Sequence, residues 1–465
     1  MKNSRPYYII VFGLFLGICA PTLWSDGMFM DGLYYAAISK NLANGLGDFW
    51  YLHHTDFSHP IFREHPPLAM GLQSIFFYIF GDNIYVERFY SFFTFIVTAY
   101  IIHLIWGEVN KKELKYLSWI PLLFWVIIPL NSWACSNNML ENTMNIFVSF
   151  SVLFSLKSLK RSKLKNIFLA GICLSLAFLS KGFVGLFPLS IFLWHFIVFK
   201  EIKIKEMFSR SAQLFLFTIT PFILLYLFYP RAIDSIGNYM YKQVFGSIQN
   251  IPSLEKYTPV ESRFFIIEKL MLELLPALVL CLIIFYFSVK RKFKVELPEK
   301  KWILFFFLLG LSGVLPIMIS MKQSGFYILT TFPLFSVAFG ILVASFIAST
   351  IPKKRFKIFL LGLFILIGSV FLSVKQIGVI GKNHELVEDI QLILTVIPAN
   401  SVISMDENMR KNYSLIGYFA RYGNVSLNKK EKLNYHISYK GNNEDKEKYK
   451  KIDLNTQMIV LYSKQ

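Results

Sequence analysis

The chain has 465 residues, of which 55% are hydrophobic and 17% aromatic, and its formal net charge is +19. This composition excludes a soluble globular protein, because apolar runs of about 20 residues, each able to cross a bilayer as a helix, recur along the chain. The charge does not indicate a nucleic-acid partner, because Lys and Arg cluster at every second loop, which is the positive-inside pattern of membrane proteins.

The apolar runs predict an all-α polytopic membrane protein with about eleven transmembrane helices. The predicted spans are 7–24, 86–106, 116–131, 139–156, 166–180, 183–199, 211–230, 266–289, 302–320, 324–349 and 357–376. The basic loops place the N-terminus in the cytoplasm and, after an odd number of crossings, the C-terminus outside. We therefore expect a multi-pass membrane protein, whose basic loops also contact anionic lipids on the cytoplasmic side.

Three segments outside the membrane are long, namely about 25–87, about 231–261 and 381–465. In the first, residues 31–47 have helical spacing, and residues 66–81 are apolar but too short to span. Both are predicted to be helices at the external interface.

The tail is polar and contains one helix-like run and short strand-like runs, at 384–397, 401–404 and 458–462. These predict a small α/β external (periplasmic) domain, 381–465, that follows a transmembrane module, 1–380.

Two lysines break the charge rule on the predicted external face. Lys181, in "FLSKGFVG", and Lys322, in "MKQSGF", each lie near a membrane boundary beside glycine. A lysine is a compact, mobile cation that pairs well with phosphate at the headgroup level. The alternative is that both side chains only snorkel toward water, which requires no ligand.

Acidic residues gather on the same face. Asp31 begins the first interfacial helix, Glu64 lies in "REHPPL" and Glu141 begins a span. With the two lysines and Arg88 they predict a cleft at the membrane surface, since mid-span positions carry almost no charge. For Asp31, capping of its helix is an alternative role.

The first loop also contains several potential metal ligands. A divalent cation is a candidate ligand of this segment, although no helical ligand spacing supports it and a hydrated loop is the simpler interpretation. The residues concerned are His53, His54, His59, His65, Asp56 and Glu64.

Four motifs, in this order, resemble those of the GT-C membrane glycosyltransferases, particularly the bacterial protein mannosyltransferase and aminoarabinose transferase type. The family has an acidic motif just after its first span. In this chain the segment "MDGLYYAAISKNLANGLGDFW" (30–50) is similar to that motif and matches it at Asp31, Tyr35, Ala36, Gly47 and Asp48. The other three are "EHPPL" (64–68), "SKGFVGL" (180–186) and "MKQSGFYILTTFP" (321–333).

The resemblance covers about the first 350 residues, and the tail lies outside it. Two positions depart from the family pattern. Gly32 stands where an acidic residue is usual, and His65 where a lysine or similar residue is usual.

The resemblance implies a GT-C architecture and an enzyme that uses a polyprenyl-phosphate-linked sugar as donor. A hexosyl or pentosyl group would pass to a lipid A-like lipid, a protein hydroxyl or a glycan on the external face, by a single inverting displacement. Asp31 would be the general base. Candidate phosphate-binding residues are Lys181, Lys322 and Arg88, and candidate substrate-positioning residues are Glu64, His65, Tyr35, Glu141 and Tyr327.

Two other classes of protein remain as alternatives. A transporter or flippase of lipid-linked sugars would favour inverted repeats and ionisable residues at mid-membrane, for which Glu268 and Glu273 are the nearest candidates. A non-catalytic subunit for polymer assembly would tolerate replacement of Asp31 without effect.

Overall fold

The computed structural model describes residues 4–161, 163–246, 262–290, 299–320, 322–350, 355–428, 433–441 and 449–464. In this part of the chain the helices, numbered α1 to α17 in chain order, are Arg5–Trp24, Met30–Ala43, Leu68–Phe80, Val86–Val109, Trp119–Val126, Pro129–Ser136, Leu140–Lys160, Lys163–Lys181, Ile191–Phe199, Ile204–Phe228, Pro230–Tyr239, Phe265–Lys290, Lys300–Val314, Phe332–Thr350, Arg355–Val374, His384–Leu394 and Tyr413–Gly423. Shorter 3₁₀ or π-helical turns are Lys112–Leu117, Phe183–Gly185, Phe187–Ser190, Met240–Phe245, Leu315–Ile319, Gly325–Thr331 and Glu407–Lys411.

The polytopic architecture is confirmed, whereas the count of eleven spans is not. Among the described residues, 8 helices are long and apolar enough to cross a membrane, or 9 if Lys112–Val126 and Pro129–Ser136, bent by 76°, form one broken span. Helical structure is also present at the predicted spans 139–156 and 183–199. The first carries many buried polar side chains, and the second is divided into two 3₁₀ turns and the short α9.

Both helices predicted in the first external segment are present as α2 and α3. The end of α3 exposes a row of large apolar side chains, as expected for an interfacial helix: Ile75, Tyr78, Ile79 and Phe80. In contrast, residues 32–41 of α2 are all buried, because α3 and α17 pack against this helix. α2 is therefore enclosed by protein.

The C-terminal residues form the small α/β unit that the tail predicted. Its strands β1 to β5 are Val402–Met405, Ser426–Asn428, Tyr435–Tyr439, Tyr449–Ile452 and Ile459–Lys464, in the sheet order β2-β1-β3-β5-β4. β1 pairs in parallel with β2 and β3, while β5 pairs antiparallel with β3 and β4. Helices α16 and α17 bury their apolar faces against this sheet.

Candidate active site

Asp31 lies in the first turn of α2 and does not cap it. The N-cap position is Phe29, and no side chain accepts a capping hydrogen bond there. The Asp31 side chain is partly buried. Burial raises the pKa of the Asp31 carboxyl, Lys181 and Lys322 lower it, and Glu64 raises it, so that the pKa lies above its usual value. Asp31 therefore lies within electrostatic range of Lys181, Lys322 and Glu64, all of which the sequence singled out.

A close backbone contact explains why glycine follows Asp31. The backbone N–H of Phe29 donates to Oδ1 of Asn137 at 2.6 Å, which holds the start of α2 against the end of α6. A Cβ atom at Gly32 would lie 2.2 Å from the carbonyl oxygen of Asn137. Position 32 therefore has no space for the acidic side chain that is usual in the family that this chain resembles.

Lys181 ends α8 and forms a buried ion pair with Glu141, at the start of α7. Its Nζ atom also lies 4.7 Å from the centre of the Phe326 ring and 5.4 Å from that of Tyr327. Two aromatic faces and one carboxylate thus surround this ammonium group, an arrangement that stabilises a desolvated cation.

The turn after Lys181 requires glycine. Gly182 has a φ of 105°, and a Cβ atom there would lie 1.8 Å from the hydroxyl of Tyr239. That hydroxyl donates to the carbonyl oxygen of Lys181 at 3.2 Å. The close approach of Tyr239 therefore fixes the end of α8 and the direction in which Lys181 leaves it.

Lys322 faces the same region from a different part of the chain. Its Nζ atom donates to Oε1 of Gln243 at 2.8 Å, and its backbone N–H donates to the Ser320 hydroxyl at 3.0 Å. Gln243 is a neutral side chain, and the positive charge of Lys322 also acts on the nearby carboxyls of Asp31 and Glu64. Gln243 comes from the π-helical turn after α11, in the second long external segment, where no motif indicated a site residue.

The loop between α2 and α3 contributes Glu64 and His65. Burial raises the pKa of Glu64, but the hydrogen bond and charge of His59, whose Nε2 lies 3.2 Å from Oε1, lower it to about 2. Burial and the neighbouring Lys181 lower the pKa of His65 to about 3. At neutral pH Glu64 is therefore charged and the His65 imidazole is neutral, so His65 does not supply the cation that is usual at this position.

Tyr35 lies one helical turn after Asp31 and is almost fully buried. Its ring meets that of His65 edge-on, at a centroid distance of 5.9 Å. Burial and then the charges of Asp31, Glu141 and Glu64 raise its pKa well above the usual value, so the phenol stays protonated.

A cavity of about 480 Å³ opens beside these groups. Its polar lining includes Lys181, Lys322, His65, Tyr327 and Gln243. Most of the remaining lining is apolar and comprises Phe183, Val184, Leu186, Phe187, Val244, Pro316, Ile317 and Ile319. Apolar walls combined with two cationic side chains suit an amphiphile whose head group is an anion.

Arg88 is a predicted phosphate-binding residue that the structure places elsewhere. Its Nη2 atom donates to the carbonyl oxygen of Gly27 at 2.9 Å. Burial raises the pKa values of Tyr418 and Tyr422, and the charge of Arg88 opposes this rise, so Arg88 lies near both rings. Arg88 is not among the residues that line the cavity beside the two lysines. We therefore remove Arg88 from the phosphate-binding set, because its guanidinium faces the C-terminal unit.

The potential metal ligands of the first loop are mostly bonded to the loop itself. Nδ1 of His53 lies 3.0 Å from the carbonyl oxygen of Pro60, and Nδ1 of His54 lies 3.0 Å from that of Ser58. Over the described ranges, no group of three or more His, Cys, Asp or Glu side chains has a metal-binding arrangement.

Two other charged or reactive groups have local partners. Glu273 accepts the backbone N–H of Leu130 at 2.7 Å and pairs with Lys269 at 2.8 Å, so it satisfies the start of α6. In the C-terminal sheet, His436 lies between Asp406 and Ser404, at 2.8 and 2.9 Å. Ser404 is only 4% exposed, and we interpret this array as internal bonding of the sheet.

The chain is similar in sequence to known glycosyltransferases over part of its length. Residues 64–227 match the model of the family described as dolichyl-phosphate-mannose-protein mannosyltransferase. Over 138 residues the chain is 25% identical to an undecaprenyl phosphate-alpha-4-amino-4-deoxy-L-arabinose arabinosyl transferase of Wigglesworthia glossinidia brevipalpis. That match spans 29% of this chain and 25% of the length of the relative.

Solved structures extend the likeness to the whole fold. ArnT from Cupriavidus metallidurans bound to undecaprenyl phosphate is similar with a TM-score of 0.67 at 11% identity, covering 98% of this chain and 97% of that one. Its apo state gives 0.65 at 12% identity, covering 97% and 96%. The apo oligosaccharyltransferase of Archaeoglobus fulgidus gives 0.54 at 12% identity, covering 91% of this chain and 64% of that one. The resemblance that the motifs predicted is thereby confirmed.

Proposed function

We propose that this chain, a multi-pass membrane protein with the fold of the GT-C glycosyltransferases, transfers a sugar from a polyprenyl-phosphate-linked donor to an acceptor hydroxyl. The observation that carries the proposal is the apolar cavity lined by Lys181 and Lys322, beside the carboxylate of Asp31. The solved relative bound to undecaprenyl phosphate supports this class of donor. The sugar is a hexose or a pentose, and the acceptor is a lipid A-like lipid, a protein hydroxyl or a glycan.

The donor binds through two kinds of contact. The isoprenoid chain packs against the apolar walls, where it is removed from water. The phosphate is held by Lys322, which lines the cavity and donates to Gln243. Lys181 adds a weaker attraction, because Glu141 already compensates its charge. Tyr327, over whose ring Lys181 lies, positions this ammonium group.

The reaction follows as a single displacement. The acceptor atom attacks the anomeric carbon while the bond to the phosphate oxygen breaks, and the polyprenyl phosphate leaves with both bonding electrons. Asp31 takes the proton of the acceptor as general base, and its raised pKa makes it a stronger base than an exposed aspartate. Lys322 stabilises the charge on the departing phosphate. Attack from the opposite side inverts the anomeric centre.

The remaining site residues position substrate. Glu64 is charged and hydrogen-bonded to His59, which suits it to bind hydroxyls of the sugar or the acceptor. His65 lines the cavity, and its neutral imidazole meets the ring of the protonated Tyr35. Glu141 acts through Lys181. The basic loops elsewhere in the chain predict that both lysines lie on the external side. We therefore place this reaction at the external face of the cytoplasmic membrane.

The decisive experiment is transfer in liposomes that contain the purified full chain. With a polyprenyl-phosphate-linked hexose or pentose and an added acceptor, the wild-type protein should release polyprenyl phosphate. Asp31→Asn should insert normally, because the change is nearly isosteric, and should transfer on the order of 100-fold more slowly. Asp453→Asn, at an exposed position in the C-terminal unit, is the control and should keep the wild-type rate. Wild-type turnover in Asp31→Asn would refute the role of Asp31 as general base.

The acceptor is identified separately. Mass spectrometry of envelope lipids, proteins and glycans from cells with and without the gene should show one class that loses a single sugar. If no class loses a sugar, and a lipid-linked sugar moves across the bilayer of the liposomes, the transporter alternative is favoured instead.

A further inference from the structure

The C-terminal unit shares an apolar core with the helix that carries Asp31. Met28, Leu33 and Tyr34 belong to the same buried cluster as the side chains of the sheet and of α16 and α17. The contact is close, since a Cβ atom on Gly417 of α17 would lie 3.1 Å from Cβ of Leu33. Asp31 lies in the middle of this contacting stretch.

A polar contact fixes the chain immediately before α2. The hydroxyl of Tyr418 accepts the backbone N–H of Met28 at 3.1 Å and donates to the carbonyl oxygen of the same residue at 3.3 Å. Tyr418 is fully buried. A single hydroxyl thus satisfies both main-chain groups of Met28, three residues before Asp31.

A second attachment lies near the other end of α2. Arg421, only 1% exposed, binds both carboxylate oxygens of Glu87, at 3.0 and 2.9 Å, and Asp82 at 2.6 Å. Lys40, in the last turn of α2, donates to the carbonyl oxygen of Arg421 at 2.7 Å. Helix α17 therefore holds α2 at both ends, and a buried bidentate pair of this kind gives a well-defined geometry.

We propose that the C-terminal unit positions Asp31 for transfer, and that Tyr418 is a positioning residue which sets the first turn of α2. The proposal rests on the function proposed above and deepens it, because it assigns a role in the reaction to a part of the chain that the motifs do not cover. Tyr418 touches no reacting atom. It acts through Met28, whose displacement would move the carboxylate of Asp31 relative to the acceptor.

The test compares two matched Tyr→Phe substitutions in the full chain. Tyr418→Phe removes the hydroxyl that binds Met28 and keeps the buried ring. Tyr439→Phe removes a hydroxyl of the same unit that accepts from Asn412 at 3.0 Å, within the C-terminal unit. Hydrogen–deuterium exchange of a peptide that covers residues 28–36 is measured for both variants, together with kcat and KM for the lipid-linked donor.

Tyr418→Phe should exchange faster over residues 28–36 and lower kcat on the order of 10-fold, while KM for the donor changes little. Tyr439→Phe should match wild type in all three measurements. Unchanged exchange in Tyr418→Phe, or a wild-type kcat in an active preparation, would overturn the proposal. The exchange measurement does not depend on activity. If Tyr418→Phe exchanges faster but the wild-type protein also transfers no sugar, the structural attachment is therefore kept and the proposed function is rejected.

Discussion

Lys181 and Glu141 form an ion pair whose side chains are only 3% and 0% exposed, at the junction of α7, α8 and the cavity. Such a pair is neutral as a whole, and each member depends on the other, because a single charge left in this environment is poorly solvated. This contact divides the two predicted phosphate-binding lysines by role: Lys181 belongs to a buried ion pair, and Lys322 donates to Gln243 at the cavity wall.

This division predicts the result of a double-mutant cycle on stability. Glu141→Gln should lower the free energy of unfolding by about 3–5 kcal/mol, because it leaves Lys181 buried without its counter-charge. Adding Lys181→Met to Glu141→Gln should recover part of this loss. The measurement is thermal unfolding in detergent of the two single variants and the double variant. Additive losses would show that the two side chains are not coupled.

Lys322 should matter more for the donor than for the fold. Lys322→Ala should raise the activation free energy of transfer by about 3 kcal/mol, as expected for lost stabilisation of a leaving group. The rate of transfer should then fall on the order of 100-fold. Lys322→Arg should recover only part of the rate, since a planar guanidinium does not replace a compact ammonium. The measurement is turnover per inserted molecule over a range of donor concentrations.

Lys375→Ala is the matched control for Lys322. Lys375 also lies at the predicted external end of a span, and its Nζ atom is 4.6 Å from the centre of the Phe371 ring. If Lys322 only snorkels, both alanine variants should lose some expression and keep the wild-type turnover, and arginine should restore Lys322 fully.

Stability should fall in mild acid because of buried histidines. Burial lowers the pKa of His54 from 6.5 to about 3, and burial with Lys181 does the same for His65. The unfolded chain therefore binds these protons below about pH 6.5, while the folded chain does not until about pH 3. Stability is then full above pH 6.5 and decreases as the pH falls through this window, by up to about 1.4 kcal/mol per pH unit for each histidine.

Thermal unfolding between about pH 6.5 and 5 checks this, since the titration of Glu64 lies below that window. His54→Asn should give a shallower dependence on pH than wild type. His384→Asn, at a side chain 58% exposed, should leave the dependence unchanged. An identical slope in His54→Asn would contradict the assignment.

The orientation in the membrane is open to a labelling experiment. Single cysteines at Ser132 and Lys411 should react in intact cells with an impermeant thiol reagent, and one at Lys163 should react only after lysis. The native thiols give a low background, because Cys19, Cys135 and Cys281 are buried and Cys173 is partly buried. Reaction at Lys163 in intact cells would reverse the orientation and place the proposed site on the cytoplasmic side.

The sequence alone predicted features that depend on neighbours along the chain. The long apolar runs became helices because length and composition decide whether a helix can lie in a bilayer. In the tail, the runs at 384–397, 401–404 and 458–462 became α16, β1 and β5 in the same way, whereas α17 and the other three strands were not predicted. Asp31, Lys181 and Lys322 were found because each stands out against its own segment, by charge or by motif.

The tertiary structure decided which of these groups meet. Arg88 lies on the same predicted face as the two lysines, but it donates to Gly27 and faces the C-terminal unit. Gln243 reaches Lys322, and Tyr418 reaches Met28, across separations in sequence that leave no local trace. Periodicity and motifs report contacts within a few residues, whereas ion pairing, the depth of burial and the pKa values that follow from them arise only when distant segments exclude water together.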